Sequence, residues 1–412
     1  MEALNYVPFR RPVVGRDPNQ KHRVATELEL LFDLIFVVAI ASNAAQLHHG
    51  IVGGHWDALI GYLMTWCAIW WAWVNYSWYA SAYDNDDVIY RLLTFVIMAG
   101  ALCLAAAVPD LFADGQSVLA VVGYAIMRFG MVGLWLRVAQ GDKARRKTAL
   151  RYAAGITFAQ LLWIGRLEVP SSWLIATFFV CVAIEWMVPV WAEKAGKSPF
   201  HPHHIAERYG LMTIIVLGEV MLSSVQAIQG ALGLRGEGGH AVSSDFFVLI
   251  IGGLIAVFAL WWLYFKRNHA DIVANEKAMW IFGYGHYFIF ASVAAVGAGL
   301  AAAVDVVEGS HEVHTSAFAV SMFIGVSIAI FALVLVGMHV ASDRADLPHV
   351  VPAVFVAVGA LLMPWLGLSL GWTVLAQALV ITLALGQHVV RSQAQLSARR
   401  PQTGASLGAT RV

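Results

Sequence analysis

Asp33, Arg128, Glu185, Glu219 and His286 are ionisable side chains set in stretches otherwise apolar enough to lie in lipid. Arg128 poses the question most sharply. Gln116 to Val138 reads QSVLAVVGYAIMRFGMVGLWLRV, and as a helix it would carry the arginine roughly 16 Å in, close to mid-bilayer. A cation there costs on the order of 3 kcal/mol or more, so it is expected to face the protein interior and hold a partner. Glu185 and Glu219 are the candidates. Buried charges of both signs at similar depth can take up and release protons or ions, because the charge of each depends on what lies beside it.

The stretch from His204 to Glu219 places Arg208 and Glu219 on one helix face, about three turns apart. Glu219 is expected to pair with Arg128 or Arg208, or to carry a proton, and Gly218 before it to admit a neighbouring helix or a ligand. The competing reading is an ion pair that only locks helices together. Thr26 with Glu29 fits a capping box, so Glu27 and Glu29 have a structural explanation at a helix start. Asp33 is one turn too deep for a cap and needs a cation, a donor or a proton of its own. Asp87 and Arg91 are four apart and suited to pair, while Asp84 and Asp86 are solvated, cap a helix or bind a cation. Glu207 suits a dipole-stabilising acid, and His286 a neutral, hydrogen-bonded imidazole or a proton relay.

Other patterns carry less. His201-Pro202-His203-His204 has a metal-like look but suits the start of a helix better, and His311 and His314 are too close for the zinc-protease spacing. No lysine lies deep in any apolar stretch, which argues against a Schiff base to retinal. There is no phosphate loop, nucleophile elbow or dinucleotide fingerprint. No catalytic residues, metal or cofactor are expected.

The elements that must hold these charges are membrane helices. The chain is 59% hydrophobic and only 13% charged, against about 25% charged in a soluble protein. Apolar runs fall at 28–47, 56–81, 88–108, 117–139, 149–165, 172–192, 205–229, 245–265, 279–303, 315–340, 349–366 and 370–390. Twelve spans put both termini on one side. With that side cytoplasmic, all of the 26 Lys and Arg except Arg128, Arg166, Arg208 and Arg235 fall in cytoplasmic segments or, for Arg91, Arg137 and Arg151, at the cytoplasmic end of a run, as the positive-inside rule requires. Acids opening the first span read it as retained rather than as a signal peptide. Cys67, Cys103 and Cys181 all fall inside spans and imply no disulfide framework. The partners expected are the lipid bilayer and a small solute or ion, not nucleic acid.

The two halves resemble each other. Trp70-Trp71-Ala72-Trp73 matches Trp261-Trp262-Leu263-Tyr264, the run 104–108 matches 300–304, Ser117 matches Ser316, and Trp163-Ile164-Gly165 matches Trp365-Leu366-Gly367. The offset climbs smoothly, where chance matches would scatter. Six spans per half give both the same orientation, a parallel repeat of the kind found in transporters that bind substrate between halves. The expected fold is therefore an all-α polytopic membrane protein of about twelve helices in two parallel six-helix repeats. A basic segment (1–26) precedes repeats at 27–192 and 205–391, joined by a cytoplasmic loop (193–204) and followed by a disordered tail (392–412).

Glu29 to Val37, E-L-L-F-D-L-I-F-V, resembles the E-L-F-F-D-L-V-F-V opening of the bacterial low temperature requirement protein A (LtrA) family. Asp86-Asp87 followed by Arg91, and Tyr124 to Arg128, resemble two further motifs. Ala206 to Glu219, A-E-R-Y-G-L-M-T-I-I-V-L-G-E, is similar to the signature A-E-R-F-G-L-F-T-I-I-V-L-G-E. Leu31, Tyr209 and Met212 replace phenylalanines, and no charge is altered. The resemblance implies a polytopic bacterial membrane protein linked by name to growth in the cold. It draws attention to Glu29, Asp33, Asp87, Arg91, Arg128, Glu207, Arg208 and Glu219. The function expected is transport of a small solute or ion across the bacterial inner membrane, coupled to protons. The alternatives are a sensor or structural membrane protein and, third, a lipid-modifying enzyme.

Overall fold

A computed structural model describes residues 7–21, 23–231, 243–309, 313–342 and 347–399. Arg235, His240, His311 and Glu312 lie outside them. Among the described residues the chain is helical, with no strand. The first half comprises α1 (Glu27–Val52), α2 (Ala58–Tyr83), α3 (Val88–Ala106), the short α4 (Val108–Asp114), α5 (Val118–Gly141), α6 (Arg146–Gly165) and α7 (Leu174–Glu193). The second comprises α8 (Pro202–Ala231), α9 (Ser244–Phe265), the single turn α10 (Ala270–Val273), α11 (Glu276–Glu308), α12 (Ala317–Ala341), α13 (Leu347–Leu362) and α14 (Leu370–Arg399).

Among the described residues, nine helices are long and apolar enough to cross a membrane. The other three expected spans are helical but fall short of that measure for identifiable reasons. Helix α2 is rich in tyrosine and tryptophan, α6 begins Arg-Lys and carries Arg151, and α13 has only 16 residues before a 3-10 turn takes over. Of the tail expected at 392–412, the described residues 392–399 continue α14 as far as Arg399, where Gln, Ala, Leu and Arg are good helix formers, and 400–412 lie outside the described residues.

Helix α11, 33 residues long, runs through the centre, with 89% of its apolar window buried. Small residues let its neighbours close in. Gly297 lies against Val220 of α8, and Gly299 against Ile324 of α12. Polar bonds tie it to the first half: the Tyr62 hydroxyl donates to Ala291 O at 2.6 Å, and Trp66 Nε1 donates to Tyr287 O at 3.1 Å. Outward faces carry side chains such as Phe129, Phe179 and Leu383, as a surface solvated by lipid requires.

Several basic residues, Arg10, Arg16 and Arg145 among them, meet where the N-terminal segment crosses helix ends. The segment before α1 lies across the helix ends there, with Arg16 N bonded to Ala82 O at 2.9 Å and Val88 N to Pro8 O at 3.1 Å. Gly141 permits this, since a Cβ at that position would sit 2.2 Å from Val13 O. Arg10 reaches Gln140, and Arg145 Nε reaches Lys197 O.

Candidate functional site

Two helix faces meet at the α1–α8 contact. Glu29 and Asp33 are four apart on α1, and His204 and Arg208 four apart on α8, so each pair stands on one face. All four side chains are fully buried. Thr26 N donates to Glu29 Oε2 at 2.8 Å and Glu29 N to Thr26 Oγ1 at 3.3 Å, which completes the capping box. The same carboxylate also faces Arg208 Nη1 at 3.0 Å and His204 Nε2 at 3.3 Å. One turn deeper, Asp33 Oδ1 accepts from Arg208 Nη2 at 2.5 Å and from Trp73 Nε1 at 2.8 Å. Among the described residues, Asp33 Oδ2 and Arg208 Nε have no hydrogen-bond partner.

The charges continue outward in alternation. Arg23 stands 3.7 Å from Glu29 and 3.6 Å from Asp84, and Asp84 stands 3.7 Å from Arg16, whose side chain is 27% exposed. Asp33, Arg208, Glu29, Arg23, Asp84 and Arg16 thus form a ladder of three acids and three arginines from the fully buried interior to the basic surface. Their charges cancel, which leaves His204, beside Glu29, as the group whose protonation would unbalance the set. At the outer end, burial first and then the negative Glu29 push the Asp84 carboxyl up to about 6, against Arg23 and Arg16. Burial and the neighbouring Arg23 lower Arg16. Such an arrangement can hold a proton or an ion on either side of Arg208 and re-pair when one carboxylate is neutralised.

Residues 24–386 match the family described as bacterial low temperature requirement A protein (LtrA). The chain belongs to the LtrA family. It is 28% identical over 290 residues to a protein of Rhizobium meliloti (strain 1021) described only as uncharacterized, covering 66% of this chain and 67% of that one. No solved structure matches the chain at a significant level.

The charges that the LtrA motifs share do not form one constellation. Glu29, Asp33 and Arg208 come together. Arg128 lies instead in a second site within the first half, where Arg128 Nη2 bonds Glu185 Oε2 at 2.8 Å and the Tyr124 hydroxyl at 2.9 Å. Trp71 and Trp163 donate their indole N–H groups to Glu185 at 2.5 and 3.1 Å. Both charges of the pair are buried, so of the two candidate partners for Arg128 it is Glu185 that binds it.

Of the alternatives expected for Glu219, neither pairing is formed, which leaves a proton of its own. Glu219 meets neither Arg128 nor Arg208 but accepts from Ser223 Oγ at 3.3 Å, because Arg208 is turned to α1 and Arg128 sits in a site of the first half. Gly218 is no close-packing glycine either: a Cβ there would meet nothing within 4 Å. Asp87 does not pair with Arg91. It caps α3 by accepting from Tyr90 N at 2.7 Å, accepts from Arg11 N at 2.7 Å and pairs with Arg137. Burial alone would raise its carboxyl, but these donors outweigh that and hold it below the usual range. Arg91 binds Asp86 at the surface, at 2.8 Å. Glu207 accepts from Ala25 N at 3.3 Å and ties the start of α8 to the residues before α1.

His286 is buried and doubly bonded, with Nδ1 to Phe282 O at 2.7 Å and Nε2 to the Tyr264 hydroxyl at 2.8 Å. A carbonyl only accepts, so Nδ1 carries a proton; in the neutral ring Nε2 then accepts from the Tyr264 hydroxyl, and the imidazole joins α9 to α11. Among the described residues no group of three or more His, Cys, Asp or Glu is placed to hold a metal. His201 serves the start of α8, its Nδ1 accepting from His204 N at 3.2 Å. Sequence reasoning passed over His204 as a member of the ion site, although its four-residue spacing to Arg208 matches that of Glu29 to Asp33. Arg23 and Arg16 were read only as topology signals.

Proposed function

We propose that this LtrA-family protein is a transporter or permease for a small solute or ion, coupled to protons, in the cytoplasmic membrane of a bacterium. It would cross the membrane twelve times in two parallel six-helix halves, with both termini inside. The repeat reading gains support from Ser117 and Ser316, matched serines that each cap a helix by accepting from an alanine N–H three residues on. On this reading α1 and α8 are equivalent first helices of the two halves.

The observation that carries the proposal is the charge ladder joining those helices. Arg208 of one half is held by two carboxylates of the other, and the chain of charges leads out to the surface at Arg16. Protonating Asp33 would leave Arg208 with Glu29 alone, and protonating His204 would draw Glu29 away from Arg208. The first event weakens the α1–α8 contact, whereas the second sets another cation of α8 beside Glu29 of α1 and tightens it, so the position of the proton decides how firmly the halves hold. Glu219, deeper on α8 and met by one hydroxyl, is the second proton-binding candidate.

The test is reconstitution of the full chain in liposomes holding a pH-sensitive dye, under imposed salt and pH gradients. Flux is expected from the wild type, with loss of at least tenfold in Asp33→Asn and a marked reduction in Glu219→Gln. Flux unchanged by both substitutions in folded, inserted protein would overturn the role given to the ladder. A second reading, a non-transporting scaffold or sensor, is favoured by the Arg128–Glu185 pair, which is buried and closed off by Trp71, Trp163 and Tyr124. Absence of flux from inserted protein across a screen of small solutes and ions would move that reading to first place.

A further inference from the structure

The α5–α6 connection and the end of α7 border a shallow surface groove, open to the outside, of about 540 Å³ that the charge ladder does not use. Its cations are Lys143, Arg146, Lys147 and Arg151, and its floor includes Leu150 and Trp191. Lys147, Leu150, Arg151 and Ala154 follow one another at helical spacing, so one face of α6 supplies charge and floor together. Among the described residues none of the four cations has a carboxylate within ion-pair distance, whereas the adjacent Arg145 is bonded to Asp142. Arg151 is fixed: Nη1 donates to Trp191 O at 3.0 Å, and the guanidinium stands 5.2 Å from the centre of the Trp191 ring. Below the charges the same exposed surface turns apolar, through Phe158 and Leu161 on α6 and Met187 on α7.

We infer that this groove binds the headgroup of an anionic phospholipid. A loop that is basic only to set topology requires neither a fixed guanidinium nor an apolar floor. Four cations without carboxylate partners suit a phosphate, since guanidinium and ammonium groups are its usual donors. Trp191, 45% exposed in the last turn of α7, is the amphipathic ring expected at headgroup depth. The apolar track beneath selects a lipid over a free anion, because it gives the acyl chains a surface in line with the phosphate. Basic pockets between membrane helices bind anionic headgroups by this chemistry. The inference rests on membrane embedding alone, so loss of the transport reading leaves it intact.

The experiment is native mass spectrometry of the full chain in a neutral detergent, titrated with phosphatidylglycerol or with phosphatidylcholine of the same acyl chains, and separately challenged with inorganic phosphate. Phosphatidylglycerol is expected to bind at least tenfold more tightly than phosphatidylcholine. Lys143→Gln with Lys147→Gln, both exposed and so harmless to folding, should weaken it about 25-fold, at about fivefold per cation. Lys277→Gln, at the exposed start of α11, should leave it unchanged and thereby exclude a general charge effect. Equal affinity for the two lipids overturns the site, as does a double variant that binds like wild type or a Lys277→Gln variant that loses as much. Displacement of the lipid by phosphate at equal concentration overturns the lipid assignment in favour of a free anion.

Discussion

Asp84 links the charge ladder to the solvent, and its titration is the accessible readout of the whole series. Its carboxyl is pushed up to about 6, chiefly by burial and then by Glu29, whereas an unfolded aspartate titrates near 4. The folded protein therefore holds that proton more tightly. The resulting stability is fully present below about pH 4 and is lost as pH rises through about 6, on the order of 2–3 kcal/mol across the window. Thermal melts in detergent should show a decline over that range that Asp84→Asn removes, and parallel profiles for the two proteins would refute the assignment. Depth and spacing of the charged residues were legible in the sequence, because apolar context and helical periodicity are local properties. The need of Arg128 for a partner was legible, and Glu185 stood among its two candidates. Which acid meets which base was not, because pairing depends on how helices far apart in sequence rotate. The pairs expected for Asp87 and Glu219 failed for that reason, and His204 was read as part of a loop.

At the scale of elements, glycine decides how closely helices approach. A Cβ at Gly100 of α3 would lie 2.5 Å from Gly123 O of α5, and one at Gly123 would lie 2.8 Å from Gly100 O. The two backbones touch, as small residues permit at membrane helix interfaces. Gly218 shows the opposite, with open space where a Cβ would go. Gly100→Val should therefore part α3 from α5 and lower the melting temperature, at a cost of about 1–3 kcal/mol typical of overpacking. Gly218→Ala should be neutral or raise it slightly, by about 1 kcal/mol at most, through helix propensity. Equal losses from the two would contradict the packing described. The positions of the long helices were legible from apolar length. The end of α14 was not, because residues 392–399 are polar yet Gln, Ala and Arg extend a helix readily.

Across the whole molecule, the helix that opens the second half completes a site begun by the first helix of the chain. Asp33 and Arg208 are 175 residues apart. At about 5–20 residues per second, the ribosome reaches Arg208 roughly 10–35 s after Asp33. During that interval α1 carries two acids at positions destined for the interior without the guanidinium that will face them. Although long and apolar enough to span a membrane, α1 is then expected to seat less firmly than after α8 arrives, because Asp33 lacks its cation. A chain ended after α7 should leave α1 accessible to aqueous thiol reagents at an introduced cysteine, whereas one extended through α8 should protect it. Equal protection in both would mean that α1 is stable without its counter-charge. With that protection, the final seating of the first helix would wait until half the protein exists, and synthesis of the second half would be a checkpoint for retaining the first.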